Sequence, residues 1–293
     1  VKIPAYEDLN LPEFSDDLSE AELRDPTFVT VIRVIWHSIR SFFVERPGQI
    51  IGSTFILIML WGTHGRLELL GYIWSDWRGP GVDVGSRPSL IPGVPWDNEL
   101  ISFFAGVLLL VVIPVLLIRY VYKQPLSRYG LGLPPRHRWR LGVQTFLFVT
   151  IVSLPFFWIG AHIDDMRRIY PLYRPFANTG QFVLYELSYL PFFIAIEFIF
   201  RGYLLFGLAG VQDEEVGDSG ISGPFYFGRY ALLIQMLSYT AWHLGKPALE
   251  LWGTLVWGLT AGATAYMIRS IWPVVMSHWL LNVFIDALVW RSL

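Results

Sequence analysis

The chain has 293 residues, a formal net charge of −2 and no cysteine. It is 54% hydrophobic and 16% charged, where an ordinary soluble domain carries about 25% charge, and its mean hydropathy is +0.46. These values exclude an ordinary soluble domain, a nucleic-acid binder driven by overall charge, and any disulfide or thiolate-metal chemistry. Thirteen Trp and fourteen Tyr suit a chain that meets the membrane interface many times, because those rings favour the headgroup level.

The fold expected is all-α, a polytopic transmembrane helix bundle of about seven or eight spans. Residues 1–48 read as an acidic N-terminal tail followed by an amphipathic segment. The tail includes a short helix around SEAELRD and lacks the basic-then-apolar pattern of a signal peptide. The segment PTFVTVIRVIWHSIRSFFV mixes Arg33, His37 and Arg40 with Val, Ile, Trp and Phe. It either lies in the membrane interface or packs on the bundle as a cytoplasmic helix.

Residues 49–140 hold the N-terminal spans and a basic loop. The first span, Gln49–Trp61, is short for ~20 residues of hydrocarbon and extends towards Tyr72 only by admitting His64, Arg66 and Glu68. A Gly- and Pro-rich loop runs on through Trp96, and Leu100–Ile118 is the second span. Arg119, Lys123, Arg128, Arg136, Arg138 and Arg140 follow with no acid among them. That excess predicts a cytoplasmic loop and, by parity, a cytoplasmic N-terminus.

Residues 141–293 form the membrane core. The expected spans are Leu141–Ile163, kinked at Pro155, Gln181–Leu208, Arg229–His243, Ala248–Arg269 and Ile271–Trp290. The loop at 211–228 is acidic, rich in Gly and Ser, and predicted to be a mobile cytoplasmic hairpin. Gly258 and Gly262 make a GxxxG pair that suits close helix packing.

Ionisable groups inside such helices are costly and are read as functional by default. Glu197 and Arg201 are spaced i, i+4 on one helix face, and the bland alternative is a pair that neutralises itself. Glu186 lies eleven residues earlier, about 16 Å along a straight helix, too far to share the Glu197 site. His243 closes one span, and His278 and Asn282 share a face on the last. A histidine exchanges protons near neutral pH and an Asn amide can donate to an oxyanion. Interhelical polar glue is the competing reading. Asp286 continues loosely along the same face.

The order Glu…Arg, His, His…Asn on three consecutive spans resembles the CAAX-protease and bacteriocin-processing (CPBP, or ABI) family of intramembrane proteases. The family motifs EExxxR, FxxxH and HxxxN read here as Ile196-Glu197-Phe-Ile-Phe-Arg201, Tyr239-Thr-Ala-Trp-His243 and His278-Trp-Leu-Leu-Asn282. The resemblance covers about residues 181–290, with YGLGLP at 129–134 as weaker support, and is to a bacterial branch with a single Glu in the first motif. It departs at Ile196, where the family assigns water activation to a Glu, and at Tyr239 for Phe.

The resemblance implies an integral protein of the bacterial inner membrane that hydrolyses a peptide bond near the membrane. Glu197 and His243 would polarise water, His278 and Asn282 would stabilise the oxyanion, and Arg201 would brace Glu197. A variant makes Glu197, His243 and His278 ligands of a Zn²⁺ ion with an open position; the metal-free version is favoured, with no cofactor. The partners expected are membrane lipids and a membrane-associated peptide or protein substrate. The alternative is a catalytically inactive relative that scaffolds a larger membrane complex, docking through its N-terminal region. A haem or quinone protein using His243 and His278 as axial ligands would show a Soret band, and a transporter would use the same buried charges. The expected span limits place Glu197 in the inner half of its span and His243 towards the outer half of its own, so their meeting requires shifted limits or a tilted helix.

Overall fold

The computed structural model describes residues 27–62, 91–209, 227 and 230–292. The acidic tail, the possible extension of the first span to Tyr72, most of the Gly/Pro loop and nearly all of the 211–228 hairpin lie outside those residues. The described residues are helical with turns and contain no strand, as the apolar composition and the need to satisfy backbone groups within each spanning segment require.

The chain divides between Gly52 and Ser53 into two compact units. In the first, α1 (Phe28–Val44) starts at Thr27, whose hydroxyl accepts from the Thr30 amide as an N-cap. Its apolar residues, among them Ile32, Ile35, Trp36, Ile39 and Phe42, are exposed. The helix that follows, α2 (Arg46–Leu60), begins in the first unit and ends in the second.

The second unit contains α3 (Asp97–Val121), α4 (Trp139–Gly160), the short α5 (Asp164–Ile169), α6 (Thr179–Ala209), α7 (Tyr230–Trp242), α8 (Ala248–Ile268) and α9 (Trp272–Ser292). Among the described residues four helices are long and apolar enough to cross a membrane: α3, α4 with its preceding turn, α6 and α9. α2 is a shorter apolar helix. The expected spans at 100–118, 141–163, 181–208 and 271–290 correspond to these four within a few residues at each end.

α6 is the hub. Of its most apolar window 94% is buried, against 6% for the helix at Arg136–Gly160, so α6 is enclosed by protein while α4 presents its apolar face outward. Asn178 caps α6 by accepting from the Gln181 amide. On one flank, Phe103 of α3 stacks on Tyr189 of α6 at 4.1 Å between centroids. Trp61 and Trp242 continue that aromatic layer through Phe192. α9 packs along α4 and against α6.

From Phe198 to Phe206, α6 widens into a π-helical stretch, a feature that often marks functional sites. The loop at 129–134 is docked on it. The Tyr129 carbonyl would lie 2.9 Å from a Cβ added at Gly202, and Gly130 has φ +72, so glycine is required at both places. The same loop is tied to the start of α9. Gly130 O accepts from the Ile271 amide at 3.0 Å, and Trp272 Nε1 donates to Leu131 O at 2.9 Å.

Two registers set the level of the site. Contacts between α6 and α7 step in opposite directions: Leu208 O accepts from Phe227 N, Phe200 meets Tyr239 and Phe192 meets Trp242. Contacts between α7 and α8 do the same: Gln235 Nε2 donates to Gly258 O at 2.6 Å, and Thr254 bonds Thr240 at 3.2 Å. A Cβ added at Gly262 would meet the Gln235 amide and Leu232, so the small GxxxG face is where α7 and α8 approach.

Candidate active site

Glu197 and Arg201 are both fully buried on α6, with Arg201 Nε 3.3 Å from Glu197 Oε2. The other carboxylate oxygen, Oε1, lies 2.6 Å from His278 Nδ1 on α9. A carboxylate accepts, so Nδ1 carries the proton in this bond and Nε2 is left to face elsewhere. The His278 ring is held between Phe193 and Trp257. The guanidinium of Arg201 lies 3.9 Å from the Tyr239 ring centroid, a cation–π contact in a desolvated setting.

Tyr239 links this pair to the second histidine. Its ring centroid is 4.5 Å from that of His243 and 6.5 Å from that of His278. Because α6 and α7 are antiparallel, the residue one turn before Arg201 and the residue one turn after Tyr239 come to the same level. That register carries Glu197 and His243 towards each other.

His243 does not touch Glu197. Its Nδ1 bonds the Tyr239 carbonyl at 2.8 Å, which fixes the proton on Nδ1 of the neutral ring and the lone pair on Nε2. That nitrogen faces Glu250 Oε1 at 3.8 Å. Glu250 also accepts from the Tyr170 hydroxyl at 2.9 Å and lies 3.5 Å from Lys246 Nζ. Burial, then the charge of Glu250, pushes the Tyr170 hydroxyl well above its ordinary range, so it remains a donor.

Asn282 bonds within its own helix. Its amide donates to Asp286 Oδ2 at 2.9 Å, a buried bond within α9. The structure thus joins Glu197, Arg201 and His278 directly, brings His243 alongside through Tyr239, and engages Asn282 elsewhere. Among the described residues no group of three His, Asp or Glu side chains is gathered so as to hold a metal ion.

The sequence reading did not single out Glu250, Tyr170 or Trp257. Glu250 sits in the first turn of α8, where an acid is ordinarily explained by the helix dipole. Its one local signal was the Gly245–Lys246–Pro247 turn after His243, since a tight reversal returns the next helix along the last.

Residues 178–284 match the family described as type II CAAX prenyl endopeptidase Rce1-like. Over those residues the chain is similar to the Rce1-like endopeptidases. The match contains all three motifs, on α6, α7 and α9, as well as the α8 segment that carries Glu250. Neither a curated protein nor a solved structure matches the chain. This match and the four long apolar helices support an integral membrane protein.

Proposed function

We propose that the chain is an intramembrane endopeptidase that hydrolyses a peptide bond at or within the membrane without a metal. The observation that carries this reading is the Glu197–His278 hydrogen bond of 2.6 Å inside the segment similar to the Rce1-like endopeptidases. Glu197 is fully buried, its Oε1 bonded to His278 and its Oε2 ion-paired with Arg201 at 3.3 Å without a hydrogen bond. In this reading Glu197 is a positioning residue rather than the group that meets water. It orients His278, whose other ring nitrogen, when it carries a proton, donates to the oxyanion as the scissile carbonyl is attacked. His243 offers an Nε2 lone pair and orients the attacking water. The substrate is a membrane-associated peptide or protein. The proposed orientation is N-terminus inside, in a bacterial inner membrane.

The experiment is cleavage by the purified full chain in liposomes of phosphatidylethanolamine and phosphatidylglycerol. The probes are quenched fluorogenic peptides, one prenylated near its C-terminus and one with a single unmodified span. Wild type releases fluorescence from at least one of them, and His278→Ala lowers the rate about 10²-fold or more at equal folded protein. A wild-type chain silent on both overturns the reading.

The second reading is a catalytically inactive relative that serves as a scaffold or accessory subunit. Ile196 favours it, because this position offers no carboxylate beside Glu197. Under that reading Glu197, Arg201 and His278 only hold three helices together. His278→Ala would then lower stability and partner assembly, with no catalytic rate to lose.

A further inference from the structure

The Ile196 departure removes a carboxylate from α6, yet a carboxylate stands beside His243 from a different helix. α7 ends at Trp242. Gly245 has φ +89, and Pro247 takes the N-cap position of α8. This turn reverses the chain within five residues of His243 and returns Glu250 along α7. The antiparallel register that pairs Gln235 with Gly258 and Thr240 with Thr254 sets Glu250 opposite His243.

The two facing atoms are both acceptors. His243 Nε2 holds a lone pair because Nδ1 is committed to the Tyr239 carbonyl. Glu250 Oε1 is a carboxylate oxygen, held by the Tyr170 hydroxyl and neutralised by Lys246. At 3.8 Å they are too far apart for a direct hydrogen bond. They are close enough for one oxygen to sit about 2.8 Å from each. Two acceptors at that separation call for a donor of two hydrogens, which is what water is. Glu250 Oε2 is buried and has no hydrogen-bond partner among the described residues, and this open acceptor lies on the same carboxylate.

We propose that Glu250 is the general base of this site, taking the part that a Glu at position 196 would otherwise play. The inference rests on the hydrolase reading above. Water is held between Glu250 and His243 and attacks the carbonyl carbon of the scissile bond. As the new C–O bond forms, one water proton passes to Glu250, while His243 holds the other hydrogen and orients the oxygen. The tetrahedral intermediate then collapses, the C–N bond breaks, and Glu250 returns its proton to the departing amine nitrogen. One water is consumed and Glu250 ends ionised as it began. The competing account is that Glu250 only pairs with Lys246 and the α8 dipole.

The test uses the same liposomes and peptides with Glu250→Gln, Glu250→Asp and the double variant Ile196→Glu/Glu250→Gln. Glu250→Gln is expected to lower kcat about 10²-fold or more with KM little changed, and Glu250→Asp to retain an intermediate kcat. The double variant restores a carboxylate on α6 and is expected to recover at least tenfold over Glu250→Gln. A Glu250 that only braces the fold would not have its lost rate restored by a carboxylate placed on another helix. A Glu250→Gln chain that cleaves at the wild-type rate overturns the proposal and leaves the hydrolase reading standing. So does a loss that follows the folded fraction and is not rescued. A wild-type chain that cleaves neither peptide overturns the hydrolase reading and the role of Glu250 with it.

Discussion

The guanidinium carbon of Arg201 rests 3.9 Å from the centre of the Tyr239 ring, and this contact fixes where the two histidines stand relative to Glu197. One turn outward from it on α6 is Glu197, and one turn outward on α7 is His243. A cation–π contact in a desolvated place is worth about 2 kcal/mol or more. Tyr239→Phe keeps the ring face and is expected to leave the unfolding midpoint in detergent within about 2 °C of wild type, whereas Tyr239→Ala lowers it by several degrees. Equal losses in the two variants would show that the hydroxyl, not the ring face, holds Arg201.

The Glu197–Arg201 pair is fully buried, so removing one partner strands a charge. Arg201→Met is expected to destabilise the folded chain by about 3–5 kcal/mol. Glu197→Leu/Arg201→Met removes both charges and is expected to regain a large share of that loss, while His278 loses its acceptor and cleavage is lost. Size-exclusion recovery and thermal unfolding read the first effect, and peptide cleavage reads the second. A double variant no more stable than Arg201→Met would contradict the pair as drawn.

Gly262 faces the Gln235 amide and Leu232 of α7. Gly262→Leu forces α8 away from α7, an overpacking cost of about 1–3 kcal/mol. Because the same interface sets Glu250 against His243, cleavage is expected to fall tenfold or more in the protein that remains folded. Unchanged cleavage in that fraction would separate the α7–α8 register from activity.

Asn282 donates to Asp286 in the core of α9. Asn282→Ala leaves a buried carboxylate oxygen without its donor, at a cost of about 1–3 kcal/mol. Asn282→Asp replaces the donor with another acid beside buried Asp286 and Glu186 and is expected to destabilise more than Ala, since like charges resist joint burial. Thermal unfolding of the two variants ranks them; an Asp variant as stable as wild type would place Asn282 elsewhere.

Much of the fold was legible before any coordinates. Apolar runs of membrane length marked α3, α4, α6 and α9 because each spanning segment must satisfy its own backbone within a helix. Glu197, Arg201 and His278 stood out because charge in an apolar run is costly and calls for a partner. That Glu197 meets His278 was less plain, since α6 and α9 are separated by two other helices in the chain.

The sequence by itself determined the membrane class, the helix segments and the short list of polar side chains, since each of these is a matter of composition and local spacing along one helix. Only the tertiary structure decided how those side chains pair. Two antiparallel registers, α6 on α7 and α7 on α8, depend on which small and aromatic faces pack together. They turned His243 towards Glu250, and the packing of α9 on α6 set His278 against Glu197. No spacing within a single helix carries those two meetings, because they arise from contacts between helices, whereas Glu197–Arg201 and Asn282–Asp286 are i, i+4 pairs.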